Sequence, residues 1–470
     1  MPTVNATASR LYARYVDFMN MQMYGKFRAD EGEIMGTHLS VSKTADFINM
    51  MVSLNGMAFN GFAGIANILN NRHQMRIEWI AGEFFHYNDV RFADGQISVN
   101  LPEVWAEMGK RVKHNKLSLM MEYFNTKQDY ESHIRGFDMH QRTRLERALG
   151  TETLFMFNDI GEYWTYNRTF IALAHAYPLK DKDGKETNVW DAFEVVKDGQ
   201  VSRVRLKEGV TKSDGTAFTE EDVQKLTNKN KRIYQKMNGI YNKHDRAAIQ
   251  QWALGRMAFT FRKFLIPGMN RRFQTSMYDF ETDTYSEGFY NTFAQWFTGK
   301  AGTKGMWKFW ADPNLNETQK ANIVRSMVDF LTYWALFVLG RIALGAWGDD
   351  DDKWYKQMAI FAVLRTRQEI GIFIPSPTMP QEMKQIVSSP TASFRYIDDM
   401  SSLLMRLAVP WSVTRWESPW LETHKSGRYA GEYKIKTDVK RVTPGVRFFR
   451  NIQEPEYMLA PYKKYIQKSN

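Results

Sequence analysis

Cysteine is absent from this 470-residue chain, which excludes disulfides, thiolate metal sites and a cysteine nucleophile together. Also missing are the H-E-x-x-H, EF-hand, P-loop, dinucleotide-glycine and G-x-S-x-G patterns. Glu31 with Glu33, and Glu152 with Glu162, have no spacing that marks an acid and base pair, so no catalytic residue is assigned and no enzyme is expected. His133 and His140 stand two helical turns apart with Asp138 between them, too few ligands for a metal site, and no cofactor is expected. The first ten residues carry no charged segment followed by an apolar run, so they do not read as a secretory signal, and synthesis in a cytoplasm is expected.

What is present is a large, apolar-rich chain. Hydrophobic residues make up 43% and aromatics 14%, too many for disorder, while a mean hydropathy of −0.49 is too polar for an ordinary multi-span membrane protein. Twenty-six Met and fourteen Trp suit surfaces that repack.

Two segments stand out. Between residues 225 and 273 twelve Lys or Arg face one acid, Asp245. A surface so one-sided repels itself and favours a phosphate-rich partner. The candidate phosphate-binding residues are Lys225, Lys229, Lys231, Arg232, Lys236, Arg256, Arg262, Lys263, Arg271 and Arg272. Interleaved Trp252, Phe259, Phe261, Phe264 and Phe273 suit base stacking and a lipid interface equally, so composition leaves nucleic acid and lipid both open. The second segment, Phe330 to Gly348, contains Arg341 as its one charge and ends at four aspartates, Asp349 to Asp352. A spanning helix needs roughly 20 apolar residues, so the run fits either a buried core helix or a membrane-capable one. Its candidate membrane- or partner-binding residues are Phe330, Leu331, Trp334, Phe337, Leu339, Leu344 and Trp347.

Periodicity predicts a mainly α, elongated protein with one small β-hairpin near 190–210. Helices are expected over 8–27, from Ser42 to about Asn70, and near 102–126 and 151–176. Thr219-Glu220-Glu221-Asp222 reads as a helix start, with breaks at Asn238-Gly239 and Pro267-Gly268. Residues 277–312 read as aromatic and irregular, and the chain turns helical again after Asn316. The regions expected are 1–176 helical, 177–218 hairpin insert, 219–312 basic and aromatic, 313–375 apolar helical hairpin, and 376–470 extended and basic.

The run Trp190-Asp-Ala-Phe-Glu-Val-Val, then Leu206-Lys-Glu-Gly-Val, Gly239-Ile-Tyr-Asn-Lys-His-Asp-Arg and Pro267-Gly-Met-Asn-Arg-Arg-Phe, resembles large internal virion proteins of tailed phages, particularly crAss-like podoviruses. The resemblance covers about residues 190 to 345. It implies a cargo protein stored in the capsid or tail interior and ejected through the portal and tail channel with or ahead of the genome. The expected partners are portal and tail-channel proteins and other cargo copies, with packaged DNA for residues 225–273 and a host membrane or further copies for residues 327–374, and homo-oligomers are expected. Asp349 to Asp352 lack the glycine of the clustered-aspartate polymerase motif found in the family, so no catalytic role carries over. A static component of the tail or portal assembly is the alternative. A chain without disulfides can unfold to pass a channel, and positive charge suits packaged DNA.

Overall fold

A computed structural model describes residues 40–57, 61–107, 113–124, 156–199, 201–238, 248–260, 265–279, 284–300, 308–347, 354–375, 392–408, 421–426 and 430–443, with a few isolated positions besides. Within them the protein is mainly α: fourteen α-helices and three small antiparallel sheets.

The helix α5 (Met156–Ala176) lies at the centre of the larger core. Every residue from Thr165 to Ala174 is buried, the pattern of a helix enclosed on all sides rather than an amphipathic one. Against it pack α2 (Gly61–Ala81), α3 (Tyr87–Glu107) and α7 (Glu220–Asn238). Met75, Phe170, Ile233 and Tyr234 meet in this core, and α4 (Lys116–Tyr123), capped by the Asn115 side chain accepting from the Leu117 N–H at 2.9 Å, closes one side.

The expected hairpin is present as β3 (Phe193–Asp198) and β4 (Val201–Leu206), preceded by the short α6 (Val189–Ala192). Phe193 pairs with Leu206 and Asp198 with Val201, and the two-residue turn takes Gly199 at φ +63, a conformation open to glycine. One hairpin was too few, however. A second sheet orders β2 (Glu186–Asn188), β1 (Pro178–Lys180) and β5 (Thr211–Lys212), and a third pairs β6 (Met277–Asp279) with β7 (Thr284–Ser286). These strands are two or three residues long, below the four to eight over which alternation can be read.

The helix start at 219–222 is as expected: the Asp222 carboxylate accepts from the Thr219 N–H and hydroxyl, both at 2.9 Å. The expected break at Pro267-Gly268 is not there. Pro267 lies in the first turn of α9 (Leu265–Phe273), where a missing N–H removes no helical hydrogen bond. The segment read as irregular contains α10 (Phe289–Lys300) as well as the β6–β7 hairpin. The helix expected from Ser42 to about Asn70 falls on α1 (Val41–Met57) and α2, with residues 58–60 between them outside the described residues, and the one expected over 8–27 lies almost wholly outside them as well.

After Asn316 the chain forms α11 (Glu317–Trp347), followed by α12 (Trp354–Gly371). The two pack closely enough that a Cβ on Gly340 would meet the Leu364 side chain at 2.9 Å. α11 also packs on α2 and α10, which brings its residues up to Asp329 against the N-terminal part of the chain.

The tail is not simply extended. Among its described residues α13 (Ala392–Ala408) and α14 (Lys434–Val442) pack together, joined by Arg406 bonding Asp438 and Glu422, each at 2.7 Å. α13 also reaches α1 and α8 (Ala253–Ala258), around Ala45, Ala253 and Met257.

Candidate functional site

Three positively charged and three negatively charged side chains meet where α2, α9 and α11 come together. On α11, Asn322, Arg325, Ser326 and Asp329 recur at three- and four-residue steps, so they share one face, and all four are buried. α2 presents His73, Gln74 and Glu78 to that face, and α9 presents Arg271 and Arg272.

Asp329 has no exposed surface, and four donors fill its carboxylate. Arg272 grips it with two arms, Nε to Oδ2 at 2.9 Å and Nη2 to Oδ1 at 3.1 Å. The Tyr290 hydroxyl donates at 3.2 Å and His73 Nε2 lies 3.1 Å from Oδ1. Burial, assisted by the nearby arginines, holds His73 below its ordinary pKa against the pull of Asp329, so the ring is neutral and donates through Nε2. That tautomer leaves buried Nδ1 as an acceptor without a donor. Burial, and then the Asp329 carboxylate, push the Tyr290 hydroxyl far above its usual pKa, so it remains a donor.

The second node is Glu78. Arg325 donates to it from Nε at 3.1 Å and Nη2 at 2.7 Å, and Arg271 donates from Nη2 at 2.5 Å. Burial alone would raise the Glu78 carboxyl; Arg325 and Arg271 outweigh it and hold the group below the ordinary carboxylate range. Arg325 also reaches Glu83 at 2.5 Å and Asn322 at 2.8 Å, while Arg271 bonds Gln74. Aromatic faces cover the cations: Arg272 lies 4.5 Å from the Phe373 ring and 5.3 Å from Phe289, and Arg325 lies 5.3 Å from Phe84. Gly268 permits this cover, because a Cβ there would come within 2.5 Å of the Phe373 ring.

Beyond Asp329 the character of α11 reverses. Phe330, Leu331, Trp334, Val338, Leu339 and Ile342 are exposed, Leu331 at 66% and Ile342 at 60%, and no acid interrupts them. α11 is the one helix among the described residues long and apolar enough to cross a membrane, over Glu317–Ala343, and much of it is not buried. Core helices meet the same length and composition, so the exposed face is the distinguishing feature. Val338 and Ile342 join the residues expected from sequence; Phe337 is half-buried with Arg367 5.0 Å from its ring, and the side chains of Leu344 and Trp347 lie outside the described residues.

The basic stretch does not form one surface. Arg256, Arg271 and Arg272 are buried in ion pairs, Arg256 with Asp46 at 3.0 Å, and these three are withdrawn from the phosphate set. Lys225 is exposed and pairs with Glu221 one turn back at 2.8 Å. Lys229 is half-buried, 5.6 Å from the Phe84 ring, with its pKa lowered by burial; Lys236 donates to Ser286 at 3.2 Å. Lys231 and Arg232 are half-buried with partners of their own. Arg262, Lys263, His133, Asp138 and His140 lie outside the described residues. No family model, no curated protein and no solved structure matches the chain.

Proposed function

We propose that this chain is packaged in a phage particle, leaves it through the portal and tail channel with or ahead of the genome, and engages a bilayer through the exposed face of α11. The membrane part rests on one observation: six large apolar side chains, Phe330 to Ile342, exposed along one helix whose root is fixed in the fold. A standard protein interface takes about 20 residues a side, so a stripe this narrow suits lipid better than a second copy. Its rim suits lipid as well. Trp334 is amphipathic, and the Arg341 guanidinium lies 5.8 Å from the Phe337 ring, laying an apolar stem along the helix with its charge at the edge. Packaging and ejection are supported by the phage resemblance of residues 190–345, and DNA contact falls to the cations left on α7, Lys225 foremost.

Flotation with phosphatidylcholine and phosphatidylglycerol vesicles tests the membrane part. Wild type should float with the vesicles, and Leu331→Glu/Ile342→Glu should stay at the bottom while keeping the same far-UV circular dichroism. Equal flotation of the two would remove α11 from the reading. Emptied particles should lack the protein that full particles hold; full retention in a fixed, symmetric assembly would favour a static tail or portal component instead.

A further inference from the structure

We propose that the six-charge network is a clasp that divides into two neutral parts, so that α11 can leave the fold for a bilayer carrying its own counter-ion. This rests on the reading of α11 as bilayer-seeking and adds how its insertion is controlled. Among the described side chains, α11 as held offers lipid the stretch from Phe330 to Ile342, about 20 Å at 1.5 Å per residue, short of the roughly 30 Å hydrocarbon core. The span of α11 that meets the length and composition for crossing a bilayer, Glu317–Ala343, takes in the turns before Phe330. Those turns hold Ile323, Val324, Met327 and Val328, apolar enough, together with Arg325 and Asp329.

Among the described residues these two charges pair with other elements: Arg325 with Glu78 and Glu83, Asp329 with Arg272. They are also four residues apart on one helix face, the spacing at which side chains meet. Once α11 departs, Arg325 and Asp329 can neutralise each other. The part left behind keeps Glu78 and Glu83 against Arg271 and Arg272, with Arg271 already on Glu78. Neither side is stranded with net charge. While the clasp is closed, every pair that α11 makes with its neighbours must break before the swap is complete, and this keeps the folded protein from inserting.

The test compares wild type, Asp329→Leu and Arg325→Met/Asp329→Leu as full chains, reading carbonate-resistant flotation on the same vesicles. A fluorophore on Val338→Cys, unique in a chain without cysteine, reports depth. Folded wild type should resist insertion, and the double variant should insert about tenfold more. Asp94→Asn breaks the Arg168–Asp94 pair away from α11 and controls for general loosening; insertion of this control equal to the double variant would overturn the clasp. A second arm needs no folded variant. Diluted from urea into vesicles, wild type should insert about tenfold better than Asp329→Leu, because Arg325 without its counter-ion disfavours insertion, Arg341 at the rim being common to both; equal insertion would overturn the charge swap. If wild type diluted from urea fails to associate at all, the membrane reading itself falls, whatever the folded variants do.

Discussion

Replacing Glu78 by Gln should strike the fold at its most concentrated point. Glu78 is buried and accepts three hydrogen bonds from two arginines, themselves buried. Glutamine keeps the shape, but its amide hydrogens would face guanidinium hydrogens, and three cations would then share the two acids Glu83 and Asp329. Breaking a buried pair by removing one partner costs about 3–5 kcal/mol, against a total stability of about 5–15 kcal/mol for a typical protein. With a urea m-value of roughly 4 kcal/mol/M, suited to a chain larger than the usual small domain, the midpoint should fall by about 1 M with m unchanged. The pH dependence supplies an independent check. Because the folded carboxyl is held below its unfolded value, its stabilisation is complete above the ordinary carboxylate pKa of about 4.3 and fades as pH falls towards the lowered folded value. Wild type and Glu78→Gln should therefore differ most at neutral pH and converge in acid. A midpoint shift below about 0.3 M, or a difference that does not change with pH, would refute the claim that this pair is desolvated.

Other consequences can be measured on the same instrument. Gly268→Ala should lower stability by about 1–3 kcal/mol, since the Phe373 ring must move off Arg272 to admit a methyl group. Lys225→Ala should leave the urea midpoint unchanged, because both partners of its ion pair face solvent, whereas Arg256→Met should lower stability by about 2 kcal/mol through lost bonds to Asp46 and Ser42. In the tail, Lys434 and then Arg406 hold the Glu422 carboxyl down at about 2. That contribution is present above the ordinary carboxylate pKa and lost as pH falls towards 2, so amide exchange in α13 and α14 should quicken over that window and not at neutral pH, and Glu422→Gln should remove the dependence.

The sequence carried its helix starts and long apolar runs openly. Thr219 with Asp222 marks the start of α7, and the uninterrupted text after Asn316 marks α11, because both signals are local in the chain. The charge network was hidden because its partners are distant: Arg256 and Asp46 are 210 residues apart, Arg271 and Glu78 193, Arg272 and Asp329 57. Summing charge over a window from 225 to 273 counted three arginines as surface when their acids lay outside it. A finer signal was available. Asn322, Arg325, Ser326 and Asp329 place a polar stripe at helical spacing among Ile323, Val324 and Val328, and a polar stripe in an apolar helix calls for buried partners. In the tail, dense prolines masked α13, which begins at Ala392, just past Pro390. Within the segment read as irregular, the Gly288 N–H donates to the Gln274 carbonyl at 2.8 Å, tying the end of the β6–β7 hairpin to its start, and Gly288 leads directly into α10.

The contrast between the two halves of α11 bears on why its root is charged at all. Well-packed apolar residues of the same volume would hold the helix at least as firmly, since buried ion pairs often do no better than hydrophobic replacements. Such a root would also pass into lipid as readily as the exposed half, with nothing to separate a stored state from an inserted one. Arg325 and Asp329 change this. Each alone is costly in a bilayer, and each is fixed to a different helix, so partial withdrawal of α11 exposes an unpaired charge in an apolar setting. Only complete withdrawal brings the two together. On the proposed reading, a charged root would make departure all-or-none, and the apolar face beyond it could stay exposed on the folded protein without drawing the rest of the helix after it.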